Sequence, residues 1–384
     1  MKTIAVIFGG KSTEHDVSVV TAISAVIKPL LADGNYQVEP VYISKAGVWY
    51  WDQRLADIKL YTSGQIEKFL RSDKPAQLAL DGGLTLVKPG LRGKRAKIDV
   101  VFPATHGTYG EDGSLMGLLR MAGVAYVGCG LEASVLAMNK LLSKTVASAA
   151  GVPSNKYVAI ERADFETDAL AAAATAKLSY PLFIKPTRLG SSIGISRVSK
   201  PAGLHNALEV AFHYDDQVIV EEEVPNLIEL TLPIIGTASD PTPALLERPL
   251  TKPGEFFDFD TKYMDQGKKG GGKGGQRGAQ GYSEVPAKID KQLYAKAEKV
   301  ALDTYKALGC DGIARVDLLA NGKTGEVFFN EVNPLPGSLY AHNWQKAGLS
   351  SVKLVEKLIE LAEARAEREA KASVTFDTNF LKQF

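Results

Sequence analysis

The sequence predicts an α/β protein of two or three domains, and three observations predict it. Residues 2–8 form a short β-branched apolar run ending in Gly9-Gly10, and a helical pattern follows over residues 17–31. Strand, turn and helix in that order open an α/β unit. Residues 38–43 and 98–103 read as further strands, the second running into Ala104-Thr105-His106-Gly107. Loops after the carboxyl ends of parallel strands are where such sheets place ligands. Finally, 384 residues, 45% of them hydrophobic, exceed the roughly 100–200 residues of one domain.

The remaining elements follow from pattern and punctuation. Residues 65–97 carry Lys-Pro and Gly-Gly breaks and read as an excursion, such as a hairpin, outside the core sheet. Residues 131–150 predict one helix, stopped by Gly151 and Pro153. Short apolar runs at 157–160, 182–185, 193–198 and 218–221 suggest a small mixed domain. A strand-rich segment over 229–246, a helix over 291–308, strands over 312–319 and 326–333, and a helix over 351–367 complete the order. Residues 266–281 hold eight glycines, four basic residues and no acidic one. Such composition does not order itself by burial, and it suits a surface loop or a flap over an anionic ligand equally. The charged, alanine-rich stretch beyond residue 361 reads as a fraying helix and tail.

Composition excludes several classes. The net charge of +1, from 45 basic and 44 acidic residues, lacks the basic excess of a general nucleic-acid binder. Cys129 and Cys310, the only cysteines, make neither a disulfide framework nor a zinc cluster and are expected as buried thiols. The N-terminus lacks the long apolar region of a signal peptide. No apolar run reaches the ~18 residues of a membrane span. The expectation is a cytoplasmic protein with neither nucleic-acid nor membrane partner.

The sharpest chemistry lies late in the chain. Arg315 and Asp317 share one strand face, and Glu331 and Asn333 share one face of the next strand, because strand side chains alternate. Pairing the strands gathers Asp317, Glu331 and Asn333 into an oxygen cluster suited to Mg²⁺ held jointly with phosphates. Arg315 beside it would bind phosphate oxygens bidentately. The alternative is a surface ladder of polar residues, against which stand Phe328, Phe329 and the Pro334-Leu335-Pro336-Gly337 turn. Lys185 ends an apolar strand and precedes Gly190-Ser191-Ser192-Ile193-Gly194, a loop whose N–H groups and hydroxyls would cradle phosphate, although Gly-Ser-Ser also occurs in ordinary turns. Lys140 lies within a helix, where most lysines are solvated. Glu221, Glu222, Glu223 and Val224, with Glu229 beyond, read either as a solvated turn or as a hinge whose backbone reads adenine. There is no Walker motif. Together these residues form a set for binding Mg-ATP without a P-loop.

On these residues the sequence resembles the D-alanine–D-alanine ligase family. The resemblance rests on residues 8–18, on His106-Gly107 through Gly110-Glu111-Asp112-Gly113, on Lys185 through Gly194, on Lys262-Tyr263, on Arg315-Val316-Asp317 and on Asn330-Glu331-Val332-Asn333. It spans nearly the whole chain. It implies a three-domain ATP-grasp fold with an N-terminal Rossmann-like (pre-ATP-grasp) domain: 1–128, a central subdomain 129–221, and a C-terminal subdomain 222–384 with a mobile flap at about 256–285.

The resemblance also assigns roles. Glu14 holds the ammonium of the first amino acid, Ser191 and Tyr263 close a polar triad with it, and His106 lies beside that site. Lys140, Lys185 and Lys262 contact phosphates, with Ser191 and Ser192 in the loop. Glu221, Glu222, Glu223, Val224 and Glu229 surround adenosine. Asp317, Glu331 and Asn333 hold two Mg²⁺ ions, for which Mn²⁺ substitutes. Arg315 and the Gly337 N–H stabilise the acyl phosphate and tetrahedral species. Ser338 and Leu339 grip the second substrate's carboxylate. The implied enzyme joins two D-alanines for peptidoglycan precursors, releases ADP and phosphate, and is a homodimer.

Three departures stand out. The chain is several residues short before Ser338, Pro334 stands where the family mostly has Thr, and the flap is extended by its Gly/Lys stretch. Tyr263 stands where D-lactate-using relatives have His, which favours an amine as second substrate. The shortened loop keeps open a different second amino acid or a hydroxy acid. A regulator that binds nucleotide without catalysis is disfavoured because the metal set and Arg315 are all present.

Overall fold

The structure is a computed structural model that describes residues 1–90, 93–166, 174–190, 192–250, 283–375 and 377–384. Its first sheet has five strands in the order Trp49–Trp51, Tyr36–Ile43, Lys2–Gly9, Val100–Pro103, Ala125–Tyr126. All neighbours are parallel except the edge strand Trp49–Trp51. A strand buried on both faces reads as a continuous apolar run, and Ile4 through Phe8 are all completely buried. The chain builds outward on one side of Lys2–Gly9 and then returns to its other side. The carboxyl end of that strand is therefore the switch point where ligands sit.

The helical stretch after the first strand runs His15–Val20, Thr21–Ile27 and Lys28–Asp33, with a π-helical middle. Over residues 15–33 it is long and apolar enough for a span by composition, but 61% of its most apolar window is packed inside the fold, as in a core helix. π-turns gather at functional sites, and this one aims Thr21 at the loop carrying His106. The expected excursion is a three-stranded antiparallel sheet, Gln77–Leu80, Leu84–Lys88 and Lys94–Ile98. The strand expected over 98–103 is shorter, because Ile98 ends an edge strand of this small sheet and only Val100–Pro103 enters the core sheet.

The helix expected over residues 131–150 is two helices, Leu131–Met138 and Lys140–Ala149. Asn139 breaks it by taking extended φ/ψ, and its side chain accepts from the N–H groups of Leu141 and Leu142 at 3.0 Å each. Asn competes with helix continuation in this way and caps well. The break makes Lys140 the first residue of a helix instead of a mid-helix surface lysine.

Two antiparallel four-stranded sheets follow. One has the order Ser196–Val198, Leu182–Pro186, Gln217–Glu222, Tyr157–Glu161. The other has the order Pro241–Pro243, Leu227–Gly236, Gly312–Asn321, Val327–Asn333. A two-stranded pair, Arg248–Pro249 with Ser283–Glu284, flanks residues 251–282. Those residues, with most of the expected flap, lie outside the described ones. The three-part division of the chain stays a proposal, and packing crosses it in two places. Ala133, Ala137 and Ala147 share a core with Leu232 and Val316 of the last sheet, while helix Ser351–Ala370 places Leu354 and Leu358 in the core of the first sheet. Cys129 and Cys310 are buried, as expected, and the Cys129 thiol donates to the Ile313 carbonyl at 3.4 Å.

Gly9 ends the first strand at φ +86°, and a Cβ there would meet the Ile43 carbonyl oxygen at 2.2 Å. Its N–H donates to Ser18 Oγ, which donates in turn to the Ala104 carbonyl, at 2.7 Å each. Gly10, at φ +105°, has open space where its Cβ would stand. Gly10→Ala should therefore cost about 1–2 kcal/mol of backbone strain. Gly9→Ala should cost about 1–3 kcal/mol more, because the backbone must shift. Thermal denaturation of the two variants measures the difference; equal melting temperatures would contradict the packing described.

Candidate active site

Strands Gly312–Asn321 and Val327–Asn333 pair antiparallel, with Asp317 opposite Glu331 and Arg315 opposite Asn333. Arg315 donates from Nε to Asp317 Oδ1 at 2.8 Å and from Nη2 to Oδ2 at 2.6 Å, a bidentate pair. Asn333 Nδ2 donates to Asp317 Oδ2 at 3.1 Å, and Thr231 Oγ1 donates to its Oδ1. Burial would lower the Arg315 pKa, but Asp317 and neighbouring groups hold it well above its ordinary value. The oxygen cluster expected from strand alternation is thus assembled. No group of three or more His, Cys, Asp and Glu side chains competes for a metal among the described residues. Two carboxylates and one amide are an oxygen donor set that fits a hard cation shared with phosphates.

This ladder forms the wall between two cavities. The larger, about 290 Å³, lies between the two four-stranded sheets. Its apolar walls include Phe183, Ile195, Leu227 and Leu319, and its rim carries Glu222, Glu223, Val224 and Glu229. An apolar slot edged by backbone and a few acids suits a purine and its ribose. Ser192, at φ +60°, lines the same cavity. Lys185 reaches it from the end of its strand and donates to Glu221 at 2.7 Å and to Asn330 Oδ1 at 3.2 Å. Glu222 and Glu223 are tied back, Glu222 accepting from the Ser179 N–H at 2.9 Å and Glu223 from Arg197 at 3.0 and 2.7 Å.

Glu221 is placed differently from its neighbours. It is fully buried, with Lys144 Nζ 3.1 Å from one oxygen and Lys185 Nζ 2.7 Å from the other. Burial alone would raise its carboxyl, but the two ammonium groups overcome that and hold it at about 2. Burial lowers the Lys144 pKa and Glu221 opposes the shift. Glu221 lines the larger cavity as a carboxylate paired with two lysines and not as a free one.

The smaller cavity, about 50 Å³, is lined by Glu14, His106, Glu111, Gly190, Pro334 and Gly337 among others. Lys140, Arg315 and Glu331 line both cavities. Lys140 Nζ donates to the Leu189 carbonyl at 2.7 Å and stands 3.5 Å from Glu331. His106 is buried, with Nε2 2.9 Å from Thr21 Oγ1 and Nδ1 3.9 Å from Glu111. Glu111 also accepts from the Gly107 N–H at 2.7 Å. Burial works to lower the His106 pKa, yet the Glu111 and Glu14 carboxylates outweigh it and raise it.

Ser338 and Leu339 are not brought into the lining, which ends at Gly337. Ser338, Leu339 and Tyr340 stand consecutively at φ 52°, 53° and 52°, a left-handed turn that costs non-glycine residues about 1–2 kcal/mol each. It is held by the Ser338 N–H donating to Thr21 at 2.9 Å, by burial of Leu339 and Tyr340, and by Arg315 stacked 5.1 Å over the Tyr340 ring. Ser191, Lys262 and Tyr263 lie outside the described residues. Sequence reasoning missed Thr21, Glu111, Lys144 and Tyr340 as participants. Lys144 had a signal, since it follows Lys140 at i+4 on one helix face. Glu111 lay inside a quoted motif; Thr21 and Tyr340 had none.

A raised histidine pKa stabilises the fold below the ordinary value near 6.5, and that stability is lost as pH rises through the folded pKa. Glu111→Gln leaves burial as the main influence, so the His106 pKa should fall below that of the parent protein. An NMR titration of the ring measures it, and an unchanged pKa would contradict the Glu111 assignment.

Comparison with known proteins gives the chain's relatives. The family model described as D-ala D-ala ligase N-terminus matches residues 3–129, and that described as D-ala D-ala ligase C-terminus matches residues 146–360. A D-alanine–D-alanine ligase of Chloroherpeton thalassium is 35% identical over 374 residues, covering 94% of this chain and 96% of that protein. Among solved structures, the D-alanine–D-alanine ligase of Coxiella burnetii is 28% identical with a TM-score of 0.78, over 97% of this chain and 98% of that one. The VanG D-Ala:D-Ser ligase of Enterococcus faecalis is 32% identical with a TM-score of 0.78, over 94% and 99%. These matches make the chain an enzyme of ATP-grasp fold, and it belongs to the D-alanine–D-alanine ligase family.

Proposed function

We infer that this protein joins two D-alanine molecules at the expense of ATP, releasing ADP and phosphate, in the supply of peptidoglycan precursors. One observation carries the reading: Arg315, Lys140 and Glu331 line the nucleotide cleft and the small polar pocket at once. A phosphoryl donor in the first and a carboxylate in the second would meet across these three side chains.

Asp317, Glu331 and Asn333 would hold Mg²⁺, two ions by the family resemblance, which neutralises phosphate charge when bound. In the first step a carboxylate oxygen of one D-alanine attacks the γ-phosphorus, and the bond to the β-phosphate oxygen breaks to leave ADP. In the second, the free amine of another D-alanine attacks the acyl carbon, the amine gives up a proton, and inorganic phosphate leaves. Phosphoryl transfer is catalysed mainly by positioning and by fixed charge. Arg315, kept ionised and aimed by Asp317, supplies that charge. Lys140 and Lys185 draw the phosphates, and Glu14 receives the ammonium of the first D-alanine. Glu111 and Thr21 hold the His106 ring at the pocket wall. By resemblance, Ser191, Lys262 and Tyr263 complete the closure over the site.

A different second amino acid has one supporting observation. Ser338 and Leu339, expected at the second carboxylate, sit in the left-handed turn beyond the pocket lining. We place the enzyme in the cytoplasm as a homodimer, on the family resemblance alone.

Incubation with Mg-ATP and D-alanine should release ADP and phosphate and yield the dipeptide, detected by mass spectrometry. Glu331→Gln should lower kcat at least 100-fold while circular dichroism stays unchanged. Turnover only with another amino acid of a mixed panel would overturn the D-alanine assignment, and an unimpaired Glu331→Gln enzyme would overturn the metal assignment.

A further inference from the structure

Lys144 reaches neither cavity, yet it is the most thoroughly enclosed charge near the cleft. Its Nζ donates to Asn155 Oδ1 at 2.9 Å and to the Phe329 carbonyl at 3.2 Å, and it forms an ion pair with Glu221 Oε1 at 3.1 Å. The rings of Tyr157 and Phe329 stand 5.7 and 5.9 Å away. Two carbonyl-type acceptors and a carboxylate beside it suit an ammonium; a neutral amine would turn its lone pair on an oxygen. Across Glu221 lies Lys185, half in the cleft. The three side chains form a line, cation, anion, cation, with one net positive charge; Lys185 and Glu221 line the nucleotide cavity and Lys144 stands behind them.

We propose that Lys144 is a positioning residue for nucleotide binding: by neutralising Glu221 from the protein side, it leaves Lys185 as an uncompensated cation for ATP phosphates. Without Lys144, Glu221 and Lys185 form a closed neutral pair, and phosphate must compete with a carboxylate 2.7 Å from the ammonium. In a buried setting such competition is strong, because charges interact through a low dielectric. The proposal rests on the ligase reading only in taking the cleft as the nucleotide site.

Calorimetric titration with Mg-ADP tests it without turnover. Lys144→Met should weaken binding at least tenfold. The double variant Lys144→Met, Glu221→Gln should restore it to within about threefold of the parent, because removing the carboxylate frees Lys185 again. The double change also removes the unbalanced buried charge, which protects the fold. A merely structural lysine would give no rescue, and a double variant no tighter than Lys144→Met overturns the proposal, as does parental binding by Lys144→Met. Should Lys144→Met fail to fold, the double variant is compared with Glu221→Gln. Equal binding supports the charge balance, and tenfold weaker binding by the double variant overturns it. If the parent chain itself binds no Mg-ADP, the nucleotide-site reading falls and this proposal with it.

Discussion

The bidentate pair between Arg315 and Asp317 is the interaction on which the site depends. Two residues apart on one strand, they lie on one face, and the fork geometry locks guanidinium to carboxylate. Asp317 is held further by Thr231 from one neighbouring strand and Asn333 from the other. Arg315 thereby stands at the wall between the two cavities with its orientation fixed. Its other face carries the Tyr340 ring, so the same side chain braces the left-handed turn that bounds the smaller pocket. Preorganised charge of this kind costs no reorganisation when a transition state forms.

A second constraint is electrostatic. The cleft gathers Lys140, Lys185 and Arg315, with Lys144 behind it, against Glu221, Asp317 and Glu331, many of them buried. A buried charge is tolerated only when paired and hydrogen-bonded. The pairings observed divide the set by position. Glu221 is sealed between two lysines, whereas Glu331 lies 3.5 Å from Lys140 with its side chain partly exposed at the junction of the cavities. Carboxylates that keep solvent contact beside a phosphate site are the ones available to a cation. The N-terminal sheet contributes the other half of the site through loops at its switch point, where Glu14 and His106 emerge.

Much of this was legible in the sequence, and the reasons differ from residue to residue. The opposition of Asp317 and Glu331 followed from period-two alternation on two adjacent apolar strands. The α/β opening followed from a β-branched apolar run ending in Gly9-Gly10 with a helical pattern after it. The break at Asn139 was obscured because apolar periodicity continues through it, while the capping oxygen acts only locally. Thr21 was hidden because its role depends on a π-turn and on contacts with His106 and Ser338, both more than 80 residues away. The turn at Ser338–Tyr340 was hidden because three left-handed non-glycine residues contradict local preference and are imposed by tertiary packing. Glu221 was read by position in an acidic run, whereas its partners come from a helix and another strand.

The central claim is that a carboxylate in the small pocket takes a phosphoryl group from ATP in the cleft across Arg315. Oxygen-18 transfer tests it most directly. With D-alanine labelled in both carboxylate oxygens, the account predicts one labelled oxygen in the inorganic phosphate released, seen as an isotope-shifted ³¹P resonance. Unlabelled phosphate, or label appearing in AMP, would contradict it.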